Sequence, residues 1–428
     1  MAVLEGNAAG APASVPSVPE TGPVRFTGEA RAYWRILARG AVLLAVTLGI
    51  YRFWLATDVR RYLWGHTEVK GDSLEYAGTA LELLLGFLIA IALLVPLYVG
   101  FFLLALSLGP IGQAASVLGF PVLAFLGQFA VYRARRYRLT RTVFRGVRFH
   151  QDGSALRYAV CAMFWWVMIG LTLGLAYPFA QANLERFKME HTYFGNVVGH
   201  FAGSGFRLFL RGLAMWLLVM GPLVFALMVA TAMIDWDVVA EIADRGGDDI
   251  RGRIEGANPG FYDAIVIAIT AVIVSLVTAA LLFPAFQAMM MRWWLSGLQL
   301  GGMTVRSRLR MRQIYGAYLR FLLWGLLFLV AAFGVAVLGS IIFYAVFGSS
   351  ESMAAEIAGA LGAVALYVVV MLGFSAIYQA TVKLALWRHG AESVELQGTA
   401  LLDHVKAAGA PGSAVGEGLA DALNVGGL

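Results

Sequence analysis

Six stretches of the chain contain no Asp, Glu, Lys or Arg: 83–132, 158–184, 212–234, 264–291, 321–350 and 357–382. A helix crossing the hydrocarbon core of a bilayer needs about 20 apolar residues. Each stretch can hold one, and the first can hold two with a turn at Gly109-Pro110-Ile111-Gly112. A soluble fold built on such stretches would expose far more contiguous apolar surface than water tolerates. Composition agrees, since 60% of the 428 residues are hydrophobic and 14% charged, against roughly 25% charged in an ordinary soluble domain. The expectation is an all-α, polytopic helical membrane protein with six clear transmembrane helices plus two re-entrant or short spanning segments that contain Thr-Leu-Gly (TLG), one of them in 158–184.

The net charge is +6. Its basic residues flank the apolar stretches, which points to membrane orientation and anionic lipid head groups rather than to nucleic acid. The one cysteine, Cys161, lies in an apolar stretch and permits neither an internal disulfide nor a multi-cysteine metal site. Residues 6–24 are rich in Ala, Pro, Ser and Gly and lack the apolar core of a cleavable signal peptide. Residues 1–24 read as a disordered N-terminal tail, 25–405 as a repeat-built transmembrane domain, and 406–428 as a disordered C-terminal tail.

Residues 47–67 align without gaps on 172–192, sharing Thr47/Thr172, Leu48/Leu173, Gly49/Gly174, Arg61/Arg186, His66/His191 and Thr67/Thr192. Ala77-Gly78 matches Ala202-Gly203 in the same register. A reduced unit of Arg, a ring residue, and a turn residue ten positions after the Arg occurs five times. Its copies are Arg61-Tyr62…Gly71, Arg136-Tyr137…Gly146, Arg186-Phe187…Asn196, Arg292-Trp293…Gly302 and Arg388-His389…Gly398. These internal repeats predict a helix leaving the bilayer, anchored at head-group level, and followed by either a small cytoplasmic hairpin or an extended loop. An isolated hairpin is marginal in water, so hairpins should pack on one another or on the membrane surface. Retention of Gly49 and Gly174 implies a steric or dihedral constraint, at a helix contact or a bend, with Thr47 and Thr172 bonding carbonyls freed there.

The regions 133–157 and 292–320 are strongly basic, whereas 235–263 carries eight acids against Arg245, Arg251 and Arg253. The two basic regions should face the cytoplasm and the acidic loop the outside. Only 158–184 separates the second and third units. Two arrangements satisfy that parity. Either both TLG-containing segments are re-entrant and all units share one side, or 158–180 is a short span and the two parts are inverted repeats.

The run 47–78, the opening Phe26-Thr27-Gly28…Tyr33-Trp34, the segment 132–149 and the second TLG block together resemble the YjgN-like family, bacterial inner-membrane proteins defined by a domain of unknown function. The resemblance spans about residues 25–400. It implies a multi-pass bacterial inner-membrane location and supplies no reaction, substrate or site residue. The extended acidic loop and the Gly/Ala-rich tail depart from the family pattern.

Candidate residues are correspondingly structural. Arg61, Arg136, Arg186 and Arg292 are the expected helix-exit anchors. His66 and His191 read as interfacial polar groups and not as metal ligands, because Arg141, Gly297 and Ser393 take the equivalent positions in other units. Arg133, Arg135, Arg136, Arg138, Arg306, Arg308, Arg310 and Arg312 are candidates for contact with anionic lipid. No phosphate-binding loop, zinc-protease spacing or nucleophile arrangement is legible, so no cofactor is implied and the chain reads as a non-enzyme. Two functions stay open: translocating or handling a small molecule, ion or lipid, or serving as a non-transporting scaffold or envelope-homeostasis factor. A polar cavity among the helices would favour the first, and a solid bundle with a protruding hairpin platform the second.

Overall fold

The computed structural model describes residues 21–107, 119–245, 250–348, 352–408 and 421–423, together with 109, 112 and 117. Of the tails expected over 1–24 and 406–428, residues 1–20, 409–420 and 424–428 lie outside the described residues, as does 110–111 of the expected turn, while 21–24 belong to the first strand. The all-α expectation is overturned by ten short strands: β1 (Thr21–Phe26), β2 (Thr67–Val69), β3 (Asp72–Tyr76), β4 (Thr142–Phe144), β5 (Val147–Gln151), β6 (Thr192–Phe194), β7 (Val197–Phe201), β8 (Leu298–Leu300), β9 (Met303–Ser307) and β10 (Val394–Gln397). They close into one antiparallel barrel, in which β1 lies between β10 and β2. The hairpins are therefore not separate small appendages. A lone hairpin leaves unpaired N–H and C=O groups along both edges, and closure removes every edge.

The hairpin turns follow from local chemistry. Lys70 and Gly71 have φ of 51° and 88°, and Arg145 and Gly146 have 50° and 74°. Two consecutive left-handed residues between two-residue-spaced strands make the turn that suits strand twist, and Gly at the second position relieves it. Phe144, Phe194, Met303, Val394 and Leu396 fill the barrel interior. Residues 398–406 cross its turn end as a strap. Leu402 joins the apolar interior, Asp403 meets Arg145 at 2.7 Å, and the Asn196 N–H donates to the Lys406 carbonyl at 3.1 Å. The barrel is a packed core, not a pore.

Helices rise from the barrel: α1 (Ala30–Val46), α2 (Arg52–Gly65), α3 (Ala80–Ser107), α4 (Gly119–Thr140), α5 (Ala155–Leu171), α6 (Tyr177–Glu190) and α7 (Gly205–Met233). Beyond the short helices α8 (Trp236–Arg245) and α9 (Ile250–Ala257) come α10 (Phe261–Gly297), α11 (Met311–Phe347), α12 (Met353–Tyr378) and α13 (Leu384–Glu392). A π-helical turn, Gln379–Lys383, joins the last two. Among the described residues, five helices are long and apolar enough to cross a membrane: α3, α7, α10, α11 and the continuous 353–392. The expected six reduce to five: of the second half of the first stretch, the described helix α4 starts at Gly119, and only fourteen of its residues, 119–132, precede Arg133. Side-by-side packing runs α1–α2–α3–α4–α5–α6–α7–α10–α11–α12 and returns to α1. With β1 pairing to β10 as well, the molecule is one ring of helices on one barrel. It is not the repeat-built bundle expected.

The TLG segments are not single re-entrant or short spanning elements either. Each is a turn joining two helices, α1 to α2 and α5 to α6. The Gly49 N–H donates to Leu44 O at 2.8 Å and the Leu48 N–H to Ala45 O at 3.4 Å, and Gly174 and Leu173 repeat the pattern at 2.7 and 3.2 Å. This is a Schellman termination. Thr47 and Thr172 each donate a hydroxyl to the carbonyl four residues back, at 2.7 Å, and accept an N–H from the following helix at 3.0 Å. Gly49 and Gly174 have φ of 91° and 93°. A methyl group on Gly49 would meet nothing within 4 Å, and one on Gly174 only Trp216 at 3.5 Å. The constraint is dihedral and not steric. Consequently Gly174→Ala should destabilise by about 1–2 kcal/mol, and Gly174→Leu by nearly the same. Melting in detergent that shows Leu several-fold worse than Ala would restore the steric explanation.

Steric glycines occur instead at the strand ends. A methyl on Gly28, Gly78 or Gly203 would lie 2.4–2.6 Å from the ring of Phe26, Tyr76 or Phe201, two residues earlier. The ring folds beneath the glycine as the strand turns into the next helix.

Candidate functional site: a charged chamber above the barrel

A cavity of about 450 Å³ lies within the helix ring, lined by Gln181 and Glu185 of α6, Gln287 and Trp294 of α10, Lys383 of the π turn, and Trp387 of α13. Trp387 also donates its indole N–H to Thr67 Oγ1 at 3.0 Å, so the chamber sits where helices meet strand β2. Thr67, Thr142 and Thr192 each open a strand and donate a hydroxyl to the last turn of the preceding helix at 2.7–2.8 Å. These threonines stitch each helix end to the barrel rim, which makes the chamber floor rigid.

Glu185 is the chamber's carboxylate. It accepts from Trp294 Nε1 at 3.0 Å, pairs closely with Lys188, and lies 3.6 Å from Arg135. Burial pushes the Glu185 carboxyl up, but Lys188 and Arg135 outweigh it, and the group titrates below its ordinary value. Burial likewise pulls Lys188 and Arg135 down, and Glu185 offsets part of that. Arg135 also donates to Met189 Sδ at 3.2 Å. Lys383 reaches the same chamber with no carboxylate beside it among the described residues.

A second space of about 380 Å³ adjoins it on the membrane flank, between the TLG turn of residues 172–176, α7 and α10. Its walls are apolar, including Leu173, Phe209, Trp216 and Phe283, and Trp216 donates to the Leu173 carbonyl at 2.8 Å. Met290 lines both spaces.

The arginines expected to face lipid divide. Arg135 and Arg138 point inward, Arg138 lying 3.6 Å from Asp421, and Arg133 lies over the Phe129 ring. Arg306, Arg308, Arg310 and Arg312 are exposed, with Arg308 2.9 Å from Glu395. Of the helix-exit residues, Arg61 donates to the Gly78 carbonyl at 3.1 Å, Arg186 and Arg292 are exposed, and Arg136 is half-buried. The adjoining rings pack inward: Tyr62 donates to Glu29 O at 2.6 Å and Trp293 to Ser204 O at 3.1 Å. The Nδ1 atoms of His66 and His191 meet the carbonyls of Tyr62 and Phe187 at 2.8 Å, closing a helix end. Among the described residues no group of three His, Cys, Asp or Glu side chains is placed to hold a metal ion.

Glu185 and Lys188 escaped the sequence reading. Their signal was an i, i+3 acid–base pair set in α6, directly after an apolar stretch, where no solvent-exposed face was expected.

A family model described as "Bacterial protein of unknown function (DUF898)" matches residues 21–422. No curated protein and no solved structure matches the chain.

Proposed function

The chain belongs to the DUF898 family of bacterial proteins, and we propose that it binds an anionic amphiphile drawn from the inner membrane, head group in the charged chamber and apolar part in the adjoining groove. The observation that carries this reading is that the two spaces lie side by side and share Met290 as a wall. A pocket that offers the Lys383 ammonium and polar side chains beside an apolar slot suits a molecule with one charged end and one greasy end. The packed barrel argues against a water-filled path along its axis, so exchange runs sideways, to and from the bilayer. In Lys383→Ala protein, anionic phospholipid retained through purification should fall several-fold relative to wild type by native mass spectrometry. Zwitterionic lipid should not change. Equal retention would favour the second reading, a membrane scaffold, for which the filled and strapped barrel is the supporting feature.

The barrel is placed on the cytoplasmic side in this reading. Both basic regions, 133–157 and 292–320, contribute strands to the barrel, and Lys and Arg near helix ends favour the cytoplasm. In a Cys161→Ser background, Asp237→Cys should react with an impermeant maleimide added to intact spheroplasts, and Arg306→Cys should react only after lysis. The reverse pattern would invert the orientation.

A further inference from the structure

Beside the chamber, three arginines converge on a piece of chain that belongs to neither the ring nor the barrel. Asp421 is nearly inaccessible, with 1% of its side chain exposed, and Arg60 of α2 has 3%. The Arg60 guanidinium grips the carboxylate with both terminal nitrogens, the Nη2 bond at 3.1 Å. Arg138 Nε lies 3.6 Å from the same group. Tyr76 OH accepts from Arg60 Nη1 at 3.0 Å, and Arg52 donates to the Ala422 carbonyl at 2.7 Å. Ala422 packs against Phe53, Leu83 and Tyr137.

We propose that Arg60, Arg138 and Tyr76 form an anion site for a phosphate or carboxylate head group, and that Asp421 occupies it as a displaceable internal substitute. The proposal rests on the reading above, in which the chain binds an anionic amphiphile. Two buried cations face each other here, and Arg60 and Arg138 would repel strongly with no anion between them. The anion that separates them comes from Asp421, and the described groups around it, Arg60, Arg138 and Tyr76 with Phe53, Leu83 and Tyr137 beside Ala422, include no second carboxylate in contact with these arginines. The fit is also incomplete. Arg60 Nε is buried with no acceptor among the described residues. A carboxylate has two oxygens and both are taken by the terminal nitrogens; a phosphate offers more acceptors and fits a guanidinium equally well. The charges of Arg60, Arg138, Arg135 and Lys188 act on one another, with Glu185 paired to the last two.

Leu423→Cys in a Cys161→Ser background reports whether the segment leaves. Its labelling by a fluorescent maleimide, in detergent at neutral pH, is followed with dihexanoyl phosphatidic acid, with inorganic phosphate, and with dihexanoyl phosphatidylcholine. Phosphatidic acid should raise the labelling rate about tenfold or more, and phosphatidylcholine should not. An equal response to inorganic phosphate assigns the site to free phosphate; a response to phosphatidic acid alone assigns it to a lipid head group. Asp421→Asn should bind the effective anion at least tenfold more tightly, because the competitor is gone. Labelling that stays flat with both anions overturns the proposal, whether or not the Asp421→Asn protein folds. If labelling is flat while Lys383→Ala still loses anionic lipid, the chamber reading stands and only the Asp421 site fails. If labelling responds while Lys383→Ala matches wild type, the reverse holds.

Discussion

Phe194→Ala should lower stability by about 3–5 kcal/mol, the usual cost of emptying a buried aromatic site. Phe194 is 2% exposed at the barrel centre, its ring 4.6 Å from Phe149 and 6.1 Å from Phe144. Neighbouring side chains cannot collapse into the space because the strands are held by closure on both edges. Every helix pair is joined through this barrel, so loosening it should lower one cooperative melting transition rather than create a second. The control is Phe333→Ala on α11, where the ring is 70% exposed. Lipid tails solvate that position whichever residue stands there, so melting in detergent should barely move. Similar shifts for the two variants would show that the barrel is not the stabilising core.

Glu185→Leu should have a comparable effect for a different reason. It leaves Lys188 and Arg135 facing each other in a confined space, and removing one partner of a buried pair typically costs about 3–5 kcal/mol. Adding Lys188→Met should recover part of the loss, because one of the stranded charges is then removed. The folded-state pKa of Glu185 is depressed. Its contribution is therefore complete above the unfolded value, about 4.3, and is lost as pH falls through the folded value. The gap between wild-type and Glu185→Leu melting temperatures should be widest near neutral pH and close as the medium becomes acidic. A gap that widens on acidification would mean that Glu185 is protonated in the folded protein.

The membrane class and the family were legible because charge-free stretches and the TLG blocks are long signals. The turn positions Gly71, Gly146 and Gly398 were legible too, since left-handed backbone demands Gly there. Closure of the barrel was not. Strands such as Thr67–Val69 and Thr142–Phe144 are too short to show a two-residue period, and each pairs with a strand tens of residues away. The inward turn of Arg135 and Arg138 was hidden for a related reason. Positive charge near a helix end has one meaning on the lipid-facing side and another on the inner face of a ring, and no local pattern reveals that the ring exists. One cue went unused: the aromatic-x-Gly steps at Phe26, Tyr76 and Phe201 mark the strand-to-helix corners.

The double pairing of β1 sets a timetable for making the protein. Thr21 to Pro23 pair with β10 and Val24 to Phe26 with β2. The first half of that strand must wait for a partner that the ribosome delivers only after every long apolar helix has been made. At ordinary synthesis rates that interval is on the order of tens of seconds. A chain released early would present an open, pairing-competent edge at the membrane surface. Completion of the last strand is thus the moment at which a finished molecule becomes distinguishable from a truncated one, and an edge-seeking protease or chaperone has the whole interval in which to tell them apart.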